Sequence, residues 1–355
     1  MTLDTATLES TRAALRAKLH GIVPDFEVDL KAELAYRINR LKAERGAVIL
    51  GHNYMEPALF HSVCDYTGDS LELSRVAATT EADPIVFCGV RFMAETAKIL
   101  NPERTVLLPA LRAGCSLAES ITADDVRGLR ARYPDAPIVA YINTYADVKA
   151  EVDVCCTSSN AAKVVESLDS DVVIFLPDEY LAKNVARETG KTIVLPSAAP
   201  VSADARAEAA GNGLHYDIVG WTGRCEVHEK FTVEDVQAVR EQFPDVVVLA
   251  HPECSPEVVD VSDFSGSTAA MTRYVREVEA PRYLLLTECS MGDNIAAEAP
   301  DKDMVRLCSV RCPHMNEITL EHVLASLREN REQIEVPEDI RVRARRSIDR
   351  MLEIG

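Results

Sequence analysis

The sequence is poor in aromatic residues, has no excess of basic residues and contains no long apolar segment. Aromatic residues make up 5% of the 355 residues. Lys and Arg number 38 against 57 Asp and Glu, a formal net charge of −19, which disfavours nucleic-acid binding through phosphate contacts. No apolar run approaches the ~18 residues of a membrane span. The first ten residues, MTLDTATLES, have neither the charged nor the apolar region of a signal peptide.

What is present is an ordinary globular composition together with ten cysteines. The chain is 47% hydrophobic and 27% charged, which excludes disordered, collagen-like and coiled-coil proteins. Ten cysteines are too sparse in a chain of this length for a secreted disulfide framework. We therefore expect a cytoplasmic protein that binds neither nucleic acid nor membranes, keeps most thiols reduced and holds a metal with some of them.

The ends of the chain are predicted to be helical, and short apolar runs alternate with helices between them. In the first 45 residues, apolar side chains recur at helical spacing: Leu30, Leu34, Ile38 and Leu41. The apolar runs are AVIL, PIVF, TVLL, PIVA, DVVIF, TIVL, VVVLA, YLLL and MVRL. Strands this apolar, separated by helices, indicate parallel sheets that are covered on both faces.

Three of these strands end in a polar elbow, and the elbows align. The segments are VILGHNY at 48–54, IVAYINTY at 138–145 and VVLAHPE at 247–253. The first elbow residues are His52, Tyr141 and His251, and two positions later come Tyr54, Asn143 and Glu253. After each elbow follows a hydroxyl at a predicted helix start, namely Ser70, Ser158 and Ser267 or Thr268. Each unit then ends in a turn with a cysteine: Cys115, Cys225 and Cys312.

This threefold repetition predicts an α/β protein of three similar αβα domains. Each is a three-layer unit with a parallel sheet, and the three surround a pseudo-threefold axis, with helical terminal extensions. The predicted segments are an N-terminal helical extension at 1–45, units at 46–122, 123–232 and 233–330, and a C-terminal helix at 331–355.

The elbows and hydroxyls are expected to form one central pocket, because ligands of parallel α/β units bind beyond the carboxyl ends of the strands. Helix N-termini at the hydroxyls suit a small polyanion. Taken singly, each hydroxyl is more simply an N-cap, and each elbow residue a satisfied polar group. Glu253 lies between Pro252 and Cys254, directly after an apolar strand. A structural role explains a carboxylate at that position less well, and we take Glu253 as a candidate general base.

One cysteine per unit suggests a shared metal centre, either an iron–sulfur cluster or zinc. Zinc sites usually show paired cysteines, and the one near pair is Cys308 and Cys312. Three isolated ligands better fit a [4Fe–4S] cluster whose open iron acts as a Lewis acid. Four other cysteines are predicted to be buried fillers: Cys64, Cys88, Cys155 and Cys156. The roles of Cys254, Cys289 and Cys308 stay open.

The motifs GHNY, GDSLELS, AGCSLAE, YINTYA, CTSSNA, GxCxVHE, HPEC, GST and CPHMN, in this order, resemble the quinolinate synthase family. The resemblance runs from about residue 40 to about residue 330. It implies three αβα domains around one [4Fe–4S] cluster with Cys115, Cys225 and Cys312 as ligands. It also implies the condensation of iminoaspartate with dihydroxyacetone phosphate to quinolinate, phosphate and two waters, in de novo NAD biosynthesis.

The resemblance further implies roles for the elbow and hydroxyl residues. His52 and Ser70 are expected to contact the iminoaspartate carboxylates, and the rest of this clamp is Tyr141, Asn143, Ser158 and Thr268. His251 and Glu253 are expected close to the reacting carbons, with Tyr54 and Glu253 as candidates for proton transfer. Functional coupling to an L-aspartate oxidase would supply the iminoaspartate.

Other functions account for less of the sequence. The diphosphate reductase of isoprenoid synthesis and the diphthamide-forming enzyme also have three domains with one cysteine each, but neither explains the HNY, YIN and HPE elbows. An electron carrier or iron–sulfur sensor does not explain the density of acid and base residues. A nicotinamide dehydrogenase is disfavoured because no G-x-G-x-x-G follows a strand.

Overall fold

The computed structural model describes residues 6–195, 216–307 and 310–355, and within them the strands form three separate sheets. The strands of the first sheet are β1 Val48–His52, β2 Tyr66–Gly68, β3 Ile85–Cys88 and β4 Val106–Leu107. Those of the second are β5 Ile138–Tyr141, β6 Val154–Cys156, β7 Val173–Leu176, β8 Ile193–Val194 and β9 Ile218–Val219. Those of the third are β10 Val246–Ala250, β11 Phe264–Ser265, β12 Arg282–Leu286 and β13 Met304–Val305.

The three sheets repeat one topology. Their strand orders are β2-β1-β3-β4, β6-β5-β7-β9-β8 and β11-β10-β12-β13, and every pairing between these strands is parallel. Every residue of β1, β3, β5 and β7 is buried, as expected for strands covered by helices on both faces. The predicted fold class, three αβα units with parallel sheets, is therefore confirmed.

Helices flank each sheet. Those up to the end of the first sheet are α1 Leu8–Lys18, α2 Asp25–Arg45, α3 Pro57–Ser62, α4 Ser70–Thr79 and α5 Arg91–Leu100. Those around the second are α6 Ser116–Glu119, α7 Ala123–Arg132, α8 Ala146–Lys149, α9 Ala161–Glu166 and α10 Glu179–Glu188. The remainder are α11 Val233–Gln242, α12 Pro256–Asp260, α13 Thr268–Glu277, α14 Cys289–Glu298, α15 Leu320–Glu329 and α16 Glu338–Ile354.

The second sheet differs from the others by one inserted strand. The predicted strand TIVL contains β8, which forms the edge of this sheet. The position equivalent to β4 and β13 belongs to β9, which pairs directly with β7. β9 is an apolar pair between Asp217 and Gly220, whereas β8 lies in the longer apolar run TIVL, and the longer run was the one predicted as a strand.

An identical ionic brace ties the first strand of each unit to the helix before it. An aspartate accepts a hydrogen bond from a strand amide and pairs with a cation on that helix. The braces are Asp65 with Ile49 and Lys42, Asp153 with Ile138 and Arg130, and Asp263 with Val248 and Arg240. Helix α2 therefore stands to the first unit as α7 and α11 stand to the other two. The predicted domain boundaries stay a prediction.

The N-terminal helical segment consists of two helices, with a break at Gly21 (φ +74°) and Pro24 before α2. Helix α2 ends at Gly46 in the left-handed conformation, as a glycine stop predicts. Of the predicted apolar stripe, Ile38 is buried and Leu34 and Leu41 pack partly buried against the core, whereas Leu30 is 68% exposed. The residues that pack inward are small or β-branched: Val28, Ala32, Ala35 and Ile38. Helix α16 packs on β6 and α8 and also contacts α5.

Candidate active site

One cavity at the carboxyl ends of the first strands brings the predicted site residues together. All twelve line it: His52, Tyr54, Ser70, Cys115, Tyr141, Asn143, Ser158, Cys225, His251, Glu253, Thr268 and Cys312. They come from all three units, so the cavity is enclosed only when the three sheets pack together. The roles expected of these residues stay predictions.

The elbows of the first and third units have the same local geometry. In each, the histidine Nδ1 accepts a hydrogen bond from the amide two residues later, from Tyr54 to His52 at 3.2 Å and from Glu253 to His251 at 3.3 Å. Each histidine therefore has its orientation set by its own backbone. The bond occupies Nδ1 and leaves Nε2 as the ring nitrogen for a ligand.

Glu253 lies at the centre of a buried hydrogen-bond network. Its Oε1 accepts from the Tyr141 hydroxyl at 2.5 Å, and its Oε2 lies 2.8 Å from Nδ1 of His228. Asn143 Nδ2 is 3.5 Å from the same Oε1, and Asn143 Oδ1 is buried without a hydrogen-bond partner among the described residues. A carboxylate held by two donors from other segments is fixed in position, and the open amide oxygen remains for a ligand.

The electrostatics of the network favour a charged carboxylate beside neutral rings. Burial by itself raises the pKa of Glu253, but His228, His251 and the hydrogen bonds from His228 and Tyr141 hold that pKa below its ordinary value. Burial lowers the pKa of His52 to about 4 and, with the neighbouring His228, that of His251 to about 3. Burial and then Glu253 raise the pKa of Tyr141 well above its ordinary value. At neutral pH Glu253 is therefore a carboxylate, His52 and His251 are neutral, and Tyr141 keeps its proton.

His228 is the residue that the sequence analysis left without a role. It lies in a short 3-10 turn, His228–Lys230, and its ring stacks on His251 with centroids 4.5 Å apart. Its Nε2 is 2.9 Å from the Thr287 hydroxyl, which is 2.5 Å from the Tyr54 hydroxyl. A chain of exchangeable protons therefore runs from Glu253 through His228 and Thr287 to Tyr54. The available sequence signal was the His-Glu pair that follows Cys225.

The three hydroxyl residues lie near helix starts, but none of them is the N-cap. Ser70 and Thr268 are the first residues of α4 and α13, whose caps are Asp69 and Ser267. Ser158 precedes α9, whose cap residue is Asn160. Since the caps are supplied by neighbours, the hydroxyls remain available to the cavity. Thr268 Oγ1 accepts a hydrogen bond from Asn53 at 2.9 Å, which joins the first and third units.

The three cysteines lie in turns of the same construction. In each, the cysteine carbonyl accepts a hydrogen bond from the amide four residues later, at 3.0, 3.0 and 3.1 Å for Cys115, Cys225 and Cys312. Each turn is then anchored by a threonine N-cap seven residues after the cysteine: Thr122, Thr232 and Thr319. Repeated turn geometry therefore presents one thiol per unit to the same cavity.

The environment of these thiols suits a bound metal. Burial raises the pKa of Cys115 to about 12 and that of Cys312 to about 11, so each is a neutral thiol unless a cation offsets the cost of the thiolate. Cys225, His228 and Glu253 form the one group in the described chain whose ligand atoms all lie within 4.8 Å of one another. The donor set therefore fits two arrangements, a cluster on three thiolates or a single ion on that mixed trio.

The other cysteines have structural surroundings. The structure describes nine of the ten cysteines, and Cys308 lies outside the described residues. Cys254 is buried, with its thiol 3.5 Å from the Leu286 carbonyl, and the Cys289 thiol lies 3.7 Å from the Leu307 carbonyl. Neither lines the cavity. Cys88, Cys155 and Cys156 are fully buried, as predicted for fillers, whereas Cys64 is partly exposed.

The fold and the site define a class of protein, a triplicated α/β protein with one internal site of acid, base and thiol side chains. The profile of the family described as Quinolinate synthetase A protein matches residues 36–353. Quinolinate synthase 2 of Mesorhizobium japonicum is 49% identical over 349 residues, covering 98% of this chain and all of the relative. The quinolinate synthase of Xylella fastidiosa 9a5c is 50% identical over 93% of this chain and 88% of its own length. That of Caulobacter vibrioides is 44% identical over 99% of this chain and 89% of its own length.

The chain belongs to the Quinolinate synthetase A protein family, and the resemblance noted in its motifs is confirmed. Its relatives are enzymes, which agrees with an interior site rich in acid and base groups. None of the helices described is long and apolar enough to cross a membrane.

Proposed function

We propose that this chain is a quinolinate synthase that condenses iminoaspartate with dihydroxyacetone phosphate to quinolinate, phosphate and two waters. The observation that carries the proposal is the single cavity in which the elbows of all three units meet three cysteines, in a chain of this family. The reaction is a transferase-class condensation followed by dehydration and ring closure, and it supplies the pyridine ring for NAD.

The hydroxyls and amides of the cavity are suited to a dicarboxylate. Ser70 and Thr268 begin helices whose N-terminal amides and dipoles favour anions. We assign the iminoaspartate carboxylates to these helix starts, with His52, Ser158 and Tyr141 completing the clamp. The unpartnered oxygen of Asn143 is an acceptor for the substrate imine N–H.

The buried network supplies acid and base groups without solvent. Glu253 is held as a carboxylate and is our candidate base for proton removal at the reacting carbons, with His251 beside it. Tyr54 keeps its proton, since burial and then Glu253 raise its pKa well above the ordinary value, and it is our candidate acid. The chain through Thr287 and His228 returns a proton between these two residues.

We propose that Cys115, Cys225 and Cys312 hold a [4Fe–4S] cluster. When bound, the cluster supplies an iron with an open coordination position that acts as a Lewis acid toward a substrate hydroxyl. The three equivalent turns support this arrangement more than the mixed trio of Cys225, His228 and Glu253 does, because that trio leaves Cys115 and Cys312 unexplained. Two of the trio's ligand atoms, on His228 and Glu253, are also hydrogen-bonded to each other.

Anaerobic purification followed by iron, acid-labile sulfide and zinc analysis tests the cluster, and an assay of quinolinate from the two substrates tests the reaction. We expect iron and sulfide in equal amounts, lost in Cys115→Ala, Cys225→Ala and Cys312→Ala and kept in Cys254→Ala. Zinc without sulfide, lost in Cys225→Ala but kept in Cys115→Ala, would support the mixed trio instead. Glu253→Gln should keep the cluster absorbance and lose turnover.

We place the enzyme in the cytoplasm, with iminoaspartate supplied by an L-aspartate oxidase. The small size of the cavity supports small-molecule substrates. An assay in which aspartate and an L-aspartate oxidase replace iminoaspartate tests the supply. Quinolinate formation that requires the oxidase supports it, whereas none with oxidase but normal formation with iminoaspartate contradicts it.

A further inference from the structure

A second, larger cleft adjoins the active-site cavity. It has a volume of about 730 Å³ and opens among α4, α9, α10 and α13. Asp69 and Ser158 line both the cleft and the cavity, so the two spaces meet at these residues. The cleft lies on the helix side of the site, where the starts of α4 and α13 converge. A substrate that enters through it passes the helix starts before it reaches the elbows.

Three basic side chains line this cleft at equivalent positions of the three units. Arg75 lies on α4, Lys163 on α9 and Arg273 on α13. Each follows the cavity hydroxyl of its unit by the same five residues: Ser70 and Arg75, Ser158 and Lys163, Thr268 and Arg273. All three side chains are exposed and none of them caps a helix. The helices themselves therefore do not require a cation at these positions.

The charges of these residues are not neutralised by close ion pairs. Within the described part of the chain, none of the three side chains takes part in a hydrogen bond or an ion pair. Burial and then Asp69 raise the pKa of Glu72. Arg75 and Arg273 act in the opposite direction, but the pKa remains raised overall. Glu72 itself is committed to the amide of Asp69 as part of the α4 capping box.

Two other charged residues of the cleft have partners. Arg187 pairs with Asp260, and Asp69 accepts a hydrogen bond from Ser159 at 2.6 Å. Glu188 is an exposed acidic residue of the rim. The three cations without a close partner are therefore the positive charges that are available to a dissolved anion.

We propose that Arg75, Lys163 and Arg273 form an entry ring that draws dianionic substrates into the active site. The inference rests on the proposed function, in which both substrates are dianions. A chain with a net charge of −19 repels such molecules at long range, and a cleft lined by cations reverses the field locally. The helix starts of α4 and α13 continue the positive potential inward. The ring acts on capture and touches no reacting atom.

The test compares the triple variant Arg75→Gln/Lys163→Gln/Arg273→Gln with a control that removes three exposed cations elsewhere. The control is Arg37→Gln/Arg328→Gln/Arg346→Gln, whose side chains line neither the cleft nor the cavity. Both variants change the net charge equally. Steady-state rates are measured for each substrate between ~20 and ~300 mM NaCl, a range over which screening between exposed charges rises sharply.

For the ring variant we expect kcat to be unchanged and kcat/KM for both substrates to fall about tenfold at low salt, with little remaining salt dependence. The control variant should keep the wild-type kcat/KM and its salt dependence. Ring and control variants with equal kcat/KM would overturn the entry ring while leaving quinolinate synthesis intact.

If the wild-type protein forms no quinolinate, the proposed function fails, and the ring is judged by binding alone. Inorganic phosphate is then titrated calorimetrically into the wild-type, ring and control proteins. Phosphate binding that is lost in the ring variant and kept in the control supports the ring. Equal binding in the two variants overturns it.

Discussion

Replacing Tyr141 by Phe removes one oxygen from the network around Glu253 and leaves the shape of the side chain unchanged. In the wild-type protein that oxygen donates a hydrogen bond of 2.5 Å to Oε1 of the carboxylate. Without it, the remaining neighbour of Oε1 is Asn143 Nδ2 at 3.5 Å. Glu253 is 3% exposed, so water cannot readily take the place of the lost donor.

The expected loss follows from the charge of the acceptor. A hydrogen bond to a buried charged group contributes about 1.5–3 kcal/mol, roughly twice the contribution of a neutral pair. We therefore expect the free energy of unfolding of Tyr141→Phe to fall by about 1.5–3 kcal/mol at neutral pH. Because Glu253 also loses its orientation toward the reacting carbons, kcat for quinolinate formation should fall roughly tenfold to a hundredfold.

The matched control is Tyr283→Phe, which removes the phenol oxygen of a buried residue that does not line the cavity. Its hydroxyl donates to the Val278 carbonyl and accepts from the Ala280 amide at 2.9 Å. Urea denaturation and steady-state assays of the two variants separate stability from catalysis, because Tyr283→Phe should lose stability and keep kcat. A Tyr141→Phe protein with wild-type kcat and stability would refute the role assigned to this hydrogen bond.

Three further changes test other contacts. Gly51→Ala should lower the free energy of unfolding by about 1–3 kcal/mol, because the added Cβ would lie 2.3 Å from the Cys64 thiol. The double variant Gly51→Ala/Cys64→Ala should regain most of that free energy, as measured by urea denaturation. Burial lowers the pKa of His61 to about 4, so protonation favours the unfolded chain and stability is lost as pH falls from ~6.5 toward 4. In His61→Gln the free energy of unfolding should depend less on pH in this range, and an unchanged pH dependence would contradict the prediction. Thr268→Val removes the acceptor of the Asn53 side chain and should raise KM for iminoaspartate roughly tenfold at unchanged iron content, whereas Thr268→Ser should not.

Much of the fold was predictable because the relevant signals are local. Apolar strands, helix starts and turns depend on residues within a few positions of one another, and their order repeats three times. The strand β9 was missed because it is an isolated apolar pair, and the longer apolar run TIVL of the same unit was predicted in its place. The face of α2 was misjudged at Leu30 because the sequence shows the apolar stripe but not which neighbour packs on it.

The site was predictable to the extent that topology implies it. Strands of a parallel sheet present their carboxyl ends at one edge, so the elbow residues were expected to converge. His228 was missed because it follows a turn rather than an apolar strand, and its part in the site depends on contacts with Glu253 and Thr287. The entry ring, by contrast, is visible in the sequence as three cations at a constant spacing from the cavity hydroxyl residues. Only the structure shows that these cations line one cleft.

The amino-acid order alone was enough to reveal three units, their elbows and one cysteine in each, since repetition needs no knowledge of contacts. Which groups act on one another was settled by packing between units. Tyr141 and Glu253 are 112 positions apart, and Asn53 and Thr268 are 215 apart, yet each pair is hydrogen-bonded. The charge of Glu253 and the neutrality of His251 follow from burial and from these neighbours, and burial exists only in the assembled fold.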